Sequence, residues 1–337
     1  MKAVLLNIND GTRFHLGKAM GAFTEETNNS QKTTSDYIHS DTLWSALVNA
    51  WALRCPGTVD DFVSECKTRK FLISSAFYYF VNSKNGDKNS NIFFLPKPAS
   101  LNLYKFSEPK KLKKIRFISK GVWEKGILPN DWFNSDICTL IQNDSAVALK
   151  SETDKSFELF HIETAAKTSA RDITDREDAF YFQTDLFLAK NVKWYFLLDN
   201  QLSEHLQADF EKAMQTFIVL GIGGERSTGC GALSGFEIID FNFDMSESGK
   251  DKQVQVSLSL TIPKKDDLSE NDLYQIIKRG GRFLTKGKSL PMIQMLQEGA
   301  VLNNDFTGKI VGLNSNPIVL RYGLKFSAPL HQNFSNF

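Results

Sequence analysis

Leu220-Gly-Ile-Gly-Gly-Glu-Arg-Ser-Thr-Gly-Cys-Gly-Ala-Leu-Ser-Gly235 is the stretch around which the rest of the chain is ordered. Five of the eleven residues 221–231 are glycine, interrupted by Arg226, Ser227 and Thr228. Upstream, Leu206, Phe210, Ala213, Met214, Phe217 and Ile218 recur at helical spacing, and downstream Leu233, Phe236, Ile238 and Phe241 suggest a strand. The segment therefore reads helix, loop, strand. A Walker loop needs Gly-Lys-Ser/Thr opening a helix, and a dinucleotide fingerprint also runs from strand to helix, so neither nucleotide motif fits. Glycine permits positive φ and lets backbone N–H groups approach a ligand without a Cβ in the way. The loop reads as a phosphate cradle built on Gly221, Gly223, Gly224 and Gly229, with further donors from Arg226, Ser227 and Thr228. The plainer alternative is a helix C-cap and a tight turn, which needs only one or two glycines.

Working outward, Ala3 to Ile8 is an apolar run that predicts a first strand, followed by a polar loop from Asn9 to His39. Ser40 or Asp41 can cap a helix carrying Leu43, Trp44, Leu47, Val48, Trp51 and Ala52, which Pro56-Gly57 stops. Leu72 to Val81 and Ile92 to Leu95 predict two strands joined by a polar turn, and Phe180 to Phe182 and Trp194 to Leu198 are strand-like. The order strand, helix, two strands, helix, strand is that of a ferredoxin-like fold, so an α+β class is expected. The first domain is expected to span 1–243, with an insertion at about 97–174 and the glycine-rich loop at 220–235. After a polar linker, a smaller domain of the same class is expected over 251–337. Its predicted elements are strands at Val254 to Ile262, Ala300 to Leu302, Lys309 to Leu313 and Ile318 to Phe326, and a short helix at Leu273 to Lys278.

A length of 337 residues with 42% hydrophobic content fits two globular domains with cores of their own. No apolar run is long enough to span a membrane, and the opening segment is interrupted too early by Asp10 and Arg13 to be a secretory signal, so a cytoplasmic protein with no membrane partner is expected. Cys55, Cys66, Cys138 and Cys230 show no paired spacing, so neither a disulfide framework nor a metal site is indicated, and no cofactor is expected. Forty basic against 39 acidic residues give a formal net charge of +1, so affinity for nucleic acid must come from local patches. Lys97, Lys105, Lys110, Lys111, Lys113, Lys114, Arg116, Lys120 and Lys125 form one such run, which is either a solvated face or a contact surface.

Single-stranded RNA recognition needs cations or N–H groups for phosphates and flat side chains for bases. Arg13-Phe-His-Leu-Gly17, followed by Lys18, supplies a cation, an aromatic and an imidazole at the end of the first strand. His39 and Ser40 stand at a helix start, where free N–H groups attract phosphate, although Ser40-Asp-Thr also suits plain capping. In the second domain Lys278-Arg-Gly-Gly-Arg282 is a basic glycine turn offering Arg279 and Arg282. The aromatics Phe77-Tyr-Tyr-Phe80 alternate faces, so two of them must point to the core.

Four segments, His39-Ser-Asp-Thr-Leu-Trp-Ser-Ala-Leu47, the glycine loop, Met295-Leu-Gln-Glu-Gly-Ala-Val301 and Leu320-Arg-Tyr-Gly-Leu-Lys-Phe326, together resemble the RAMP superfamily. The tail pair is most similar to subunit 4 of the type III-A CRISPR effector, the Csm complex. The resemblance implies two ferredoxin-like, RRM-related domains and a scaffold without catalysis. It implies a grip on the 5′ tag of the guide RNA near the first helix and glycine loop. It also implies contacts to the large polymerase-like subunit and to the backbone RAMP subunit. Lys167-Thr-Ser-Ala-Arg-Asp-Ile-Thr-Asp175 is similar to an Arg-containing segment that lies near RNA in such subunits, which adds Lys167 and Arg171. Two alternatives remain. One is a metal-independent endoribonuclease using His15 and His39 as acid and base, as processing members of the superfamily use histidine; the other is a protein-interaction subunit that touches RNA little.

Overall fold

The apolar run of the first strand explains its place. In a computed structural model, which describes residues 1–17, 34–82, 90–168, 180–246, 249–282, 289–315 and 318–335, β1 (Lys2–Asn7) is buried on both faces from Ala3 to Leu6. The chain continues through β2 (Arg13–Phe14), α1 (Ser40–Arg54), α2 (Val59–Lys67), β3 (Phe71–Ile73), β4 (Phe77–Phe80) and β5 (Ile92–Pro96). Then follow α3 (Pro109–Lys114), β6 (Phe117–Ser119), α4 (Lys120–Lys125), α5 (Pro129–Trp132), β7 (Cys138–Ile141) and β8 (Ala146–Leu149). β9 (Phe160–Thr168), β10 (Phe180–Leu188), β11 (Val192–Asn200), α6 (Glu204–Leu220) and β12 (Gly235–Asp240) complete the larger part.

The main sheet has the order β12-β1-β11-β4-β5-β6-β8-β7, with β3 beside β11. β1 pairs antiparallel with both β11 and β12, and β11 pairs antiparallel with β4. Taken as first, second, third and fourth strands, β1, β4, β11 and β12 lie in the order 4-1-3-2, which is the expected ferredoxin-like arrangement. The helices α1 and α6 pack against each other. Their apolar stripes, Leu43, Trp44, Leu47, Ala50 and Trp51 on one and Leu206, Phe210, Ala213, Met214 and Phe217 on the other, are buried as their spacing predicts. All four residues of the Phe77 to Phe80 run belong to the sheet, and Phe77, Tyr78 and Tyr79 are buried.

One expectation needs correction. The stretch at 97–174 is built into the body: β6, β8 and β7 extend the main sheet beyond β5, while β9 forms a hairpin with β10 that also carries β2. Trp123 and Trp132 from this stretch are fully buried, and the Trp123 indole donates to the Pro329 carbonyl at 3.0 Å. The correction concerns the C-terminal part, which contains β13 (Lys250–Ser257), β14 (Ile276–Arg282), β15 (Ser289–Leu296), β16 (Val301–Asn303), β17 (Val311–Ser315), β18 (Ile318–Arg321) and β19 (Ser327–His331). Among the described residues it has no α-helix, so the helix expected at Leu273 to Lys278 is absent and the helix-on-sheet layers of a second ferredoxin-like unit are not seen there. Ile276 and Ile277 instead pair with Leu296 and Met295. Cross-strand packing of β-branched residues overrides the weak helical spacing of Leu273 and Ile277. The α+β class itself holds.

The C-terminal strands close over the start of α1. The Arg279 guanidinium donates to both carboxylate oxygens of Asp41, at 3.0 and 2.9 Å, and Arg321 donates to the same group. The Asp41 carboxylate is wholly buried. Beside it, His39 Nδ1 lies 2.8 Å from Glu298 Oε1, Tyr37 donates to Glu298 at 2.9 Å, and Ser75 donates to the same carboxylate. The Leu260 amide donates to Ser40 Oγ at 3.0 Å. Burial opposes ionisation of Asp41, yet the two guanidiniums hold its carboxyl well below the ordinary range.

Asp41→Asn leaves two buried guanidiniums without a counter-charge and is expected to cost about 3–5 kcal/mol in denaturant unfolding. Because the Asp41 pKa is depressed in the folded state, its stabilisation is complete above the unfolded value of about pH 4 and is lost as pH falls through the folded value. The unfolding free energy of Asp41→Asn should therefore fall less steeply below about pH 4 than that of the native chain, which an acid titration of stability measures.

Candidate nucleic-acid interface

α6 ends at Leu220, where Gly221 adopts φ +66 and its amide closes back on Phe217. The chain then doubles on itself. The Ile222 amide donates to the Gly231 carbonyl at 2.9 Å, and the Gly231 and Gly224 amides donate to the carbonyls of Arg13 and His15, each at 2.8 Å. The glycines are required by this close approach. A Cβ on Gly231, at φ +75, would stand 1.9 Å from the Ile222 oxygen, and one on Gly223, at φ +95, 2.7 Å from the His15 oxygen. The loop is thus closed on itself and clamped to β2, and the amides of Gly221, Ile222, Gly224, Thr228, Gly229, Cys230 and Gly231 already have partners within the chain. This corrects the expected amide cradle over 221–231. What the loop presents is its tip, a 3-10 turn in which Arg226, Ser227 and Thr228 are exposed, followed by exposed Gly229.

The tip does not stand alone. Arg13 pairs in register with Phe187 of β10, and its guanidinium donates to the Thr228 carbonyl across the loop. Lys167 lies further along the hairpin, on β9 opposite Tyr181. Burial and then Asp185 push the Cys230 thiol up, while Arg13 and Lys167 both act on it in the opposite sense. Arg226 holds only a long 3.4 Å contact to the Leu220 carbonyl. Two cations from separate segments, Arg13 and Arg226, therefore fringe the loop tip, and Lys167 stands on the hairpin beside them.

His15 lies beneath this face, 8% exposed, with Nδ1 donating to the Thr184 carbonyl at 3.0 Å and lying 3.6 Å from Asp185. Gln183 donates to Asp185 at 2.6 Å and completes a buried polar layer that supports the loop from below. Sequence reasoning missed Gln183 and Asp185, although their alternation within an otherwise apolar strand was a readable sign of one special face. His39, Ser40 and Arg279 are not part of the interface: all three are buried at the start of α1, engaged with Glu298, Leu260 and Asp41. They are corrected from RNA contacts to internal contacts. His15 and His39 belong to different buried layers with different partners, so they form no acid and base pair. Lys18 and Arg171 lie outside the described residues, as does the Arg282 side chain. Among the described residues no group of three or more His, Cys, Asp or Glu side chains could hold a metal ion.

The model of the CRISPR Csm4 C-terminal domain family matches residues 250–330, the strands that close over α1. Over nearly the whole length, the chain is 30% identical to the CRISPR system Cms protein Csm4 of Methanocaldococcus jannaschii, covering 92% of this chain and 88% of that protein. The chain belongs to the Csm4 family. The fold agrees with that membership. One similar solved chain is from the Csm3-Csm4 subcomplex of the type III-A CRISPR-Cas interference complex, with a TM-score of 0.68, 23% identity and coverage of 98% and 99% of the two chains. Another is from a Csm1-Csm4 cassette in complex with pppApA, with a TM-score of 0.58, 16% identity and coverage of 98% and 97%. Csm4 relatives thus share the architecture from end to end, at identities that speak to fold alone.

The glycine series separates strain from collision. Gly229, at φ +85, has open space around the Cβ position, so Gly229→Ala should cost only the left-handed penalty, about 1–2 kcal/mol. Gly231→Ala must also displace the Ile222 carbonyl, and its melting temperature should fall clearly below that of Gly229→Ala in parallel thermal unfolding.

Proposed function

We propose that this Csm4-family chain is a non-catalytic, RNA-binding scaffold subunit of a type III-A CRISPR effector. It joins the large polymerase-like subunit to the backbone RAMP subunit and holds the 5′ tag of the guide RNA. The observation that carries the reading is the near full-length likeness to a Csm4 protein, since similar solved chains bear Csm3 or Csm1 as companions. For RNA, the support is local. Arg13 and Arg226 meet at the exposed loop tip, with Lys167 on the adjoining hairpin, although the whole chain is close to neutral, and such a face recognises phosphates by point contacts. Backbone amides contribute less than the glycine count suggests, so side chains carry the contact.

His15 and His39, the two candidate acid–base residues, are buried with separate partners, Thr184 and Glu298, which favours binding over endonuclease chemistry. The partner assignment is tested by co-expression with the large and backbone subunits and a repeat-derived guide. Recovery of one complex containing both proteins is expected, and recovery with neither overturns the reading. Arg226→Ala removes a charge-assisted contact worth ~1.5–3 kcal/mol, so tag affinity should fall roughly ten- to a hundredfold with the fold intact. Neutralising three or four phosphates implies a log–log salt slope of about −2 to −3 for the native chain. Unchanged retention of the tag by a normally folded Arg226→Ala complex would remove the loop from the RNA site.

A further inference from the structure

The basic run that begins at Lys97 does not form a uniformly solvated face. Between β5 and β6 the chain carries Lys97, Lys113 and Arg116 to one open cavity of about 120 Å³, whose other wall comes from the connections between the C-terminal strands. The two walls are locked together by backbone. The Ala99 amide donates to the Gly299 carbonyl at 2.8 Å, and Gly299, at φ +90, lies so close that a Cβ would stand 2.5 Å from the Lys97 oxygen. Space of this size admits a phosphate group or one ring, with the rest of a ligand held along the open rim.

Its charges are unevenly spent. Arg116 is paired with Asp36 through both arms of its guanidinium. Glu298, at the floor, already accepts from His39, Tyr37 and Ser75. Lys97 donates only to the Leu112 carbonyl, at 2.8 Å, and neither Lys97 nor Lys113 has a carboxylate partner among the described residues. Burial lowers the Lys97 pKa to about 8, the mark of an ammonium group held away from water without a counter-ion. An anion entering between the two lysines would supply it. The carboxamides of Asn102, Gln275 and Gln297 line the same space and offer paired donors and acceptors, the chemistry that reads a base edge.

We propose that this cavity is a nucleotide site, distinct from the glycine-loop face, in which Lys97 and Lys113 hold the phosphate and the carboxamides of Asn102, Gln275 and Gln297 meet the base. A free nucleotide and the terminal nucleotide of an RNA strand present the same chemistry. None of the residues on the hairpin and glycine-loop face lines the cavity, so the site stands or falls separately from the scaffold reading.

The test uses the full chain in equilibrium binding to adenosine 5′-monophosphate, adenosine, and a short single-stranded RNA with or without a 5′ phosphate. The monophosphate should bind at least about tenfold more tightly than adenosine, and Lys97→Gln and Lys113→Gln should each weaken it by about tenfold. Lys111→Gln, whose ammonium group pairs with Glu108 outside the cavity, should leave it unchanged. Lys113 is exposed, so Lys113→Gln keeps the test decisive if Lys97→Gln is unstable. Competition by the 5′-phosphorylated RNA, with the same loss in the lysine variants, assigns the site to a strand end; monophosphate binding without competition assigns it to a free nucleotide. Equal binding of monophosphate and adenosine, no binding of either monophosphate or RNA, or unchanged affinity in folded Lys113→Gln overturns the proposal.

Discussion

The architecture depends on a carboxylate buried at the first turn of α1. Asp41 is placed where the positive end of the helix dipole favours negative charge, but the dipole is the smaller part of its surroundings. Two guanidiniums from strands more than two hundred residues away close over it, and both of its oxygens are used. The C-terminal strands need such an anchor. Their separate apolar clusters are small, one formed by Leu296, Ala300, Leu302 and Phe306 and another by Leu260, Ile262 and Met295. Val256, Leu258, Tyr322, Leu324 and Phe326 belong instead to the core built around β1 and α1. A small set of strands with so little apolar volume of its own gains its order by packing on the larger body.

This constraint explains which parts were legible in the sequence. β1, α1, α6 and β12 could be read because their signals are local: an unbroken apolar run, a helical period, a glycine stop. The ferredoxin-like order followed from them. The glycine loop was recognised as special, but two physical demands look alike in one sequence. Glycine that admits a phosphate and glycine that admits another backbone carry the same signature, and at Gly223 and Gly231 the visitor is the carbonyl of His15 or Ile222. The contact that decides between them lies across the fold. His39, Ser40 and Arg279 were misread for the same reason, since each has RNA-like chemistry and each has a partner that sequence spacing cannot reveal.

Charge shows the difference between composition and surface most clearly. A net charge of +1 suggests a neutral molecule, yet several of its cations are structural. Arg279 and Arg321 serve Asp41; Arg69 donates to the carbonyls of Thr307 and Lys325; Lys325 itself is buried and donates to Asn303. Cations that tie strands together in this way are lost to any ligand. What remains outward is grouped by topology and not by sequence. Arg13, Lys167 and Arg226 come from a first-strand exit, a hairpin and a helix-to-strand loop, whereas Lys110, Lys111 and Lys113 stand together in sequence and divide in use.

That division follows from the geometry of a short helix. In α3 the single apolar residue Leu112 turns into the core, which fixes the rotation of the whole turn. Lys111 is then directed outward, where it pairs with Glu108 at 2.8 Å in an exposed bridge of little energetic weight. Lys113, next along the chain from the buried leucine, faces the cavity instead, and Lys97 reaches the same helix from below through the Leu112 carbonyl. One buried methyl-bearing side chain therefore sorts a run of like charges into a solvated edge and a concave, cationic wall. Composition alone treats the two as one patch, but only the wall holds its lysines close to a second chain segment and, among the described residues, outside any ion pair.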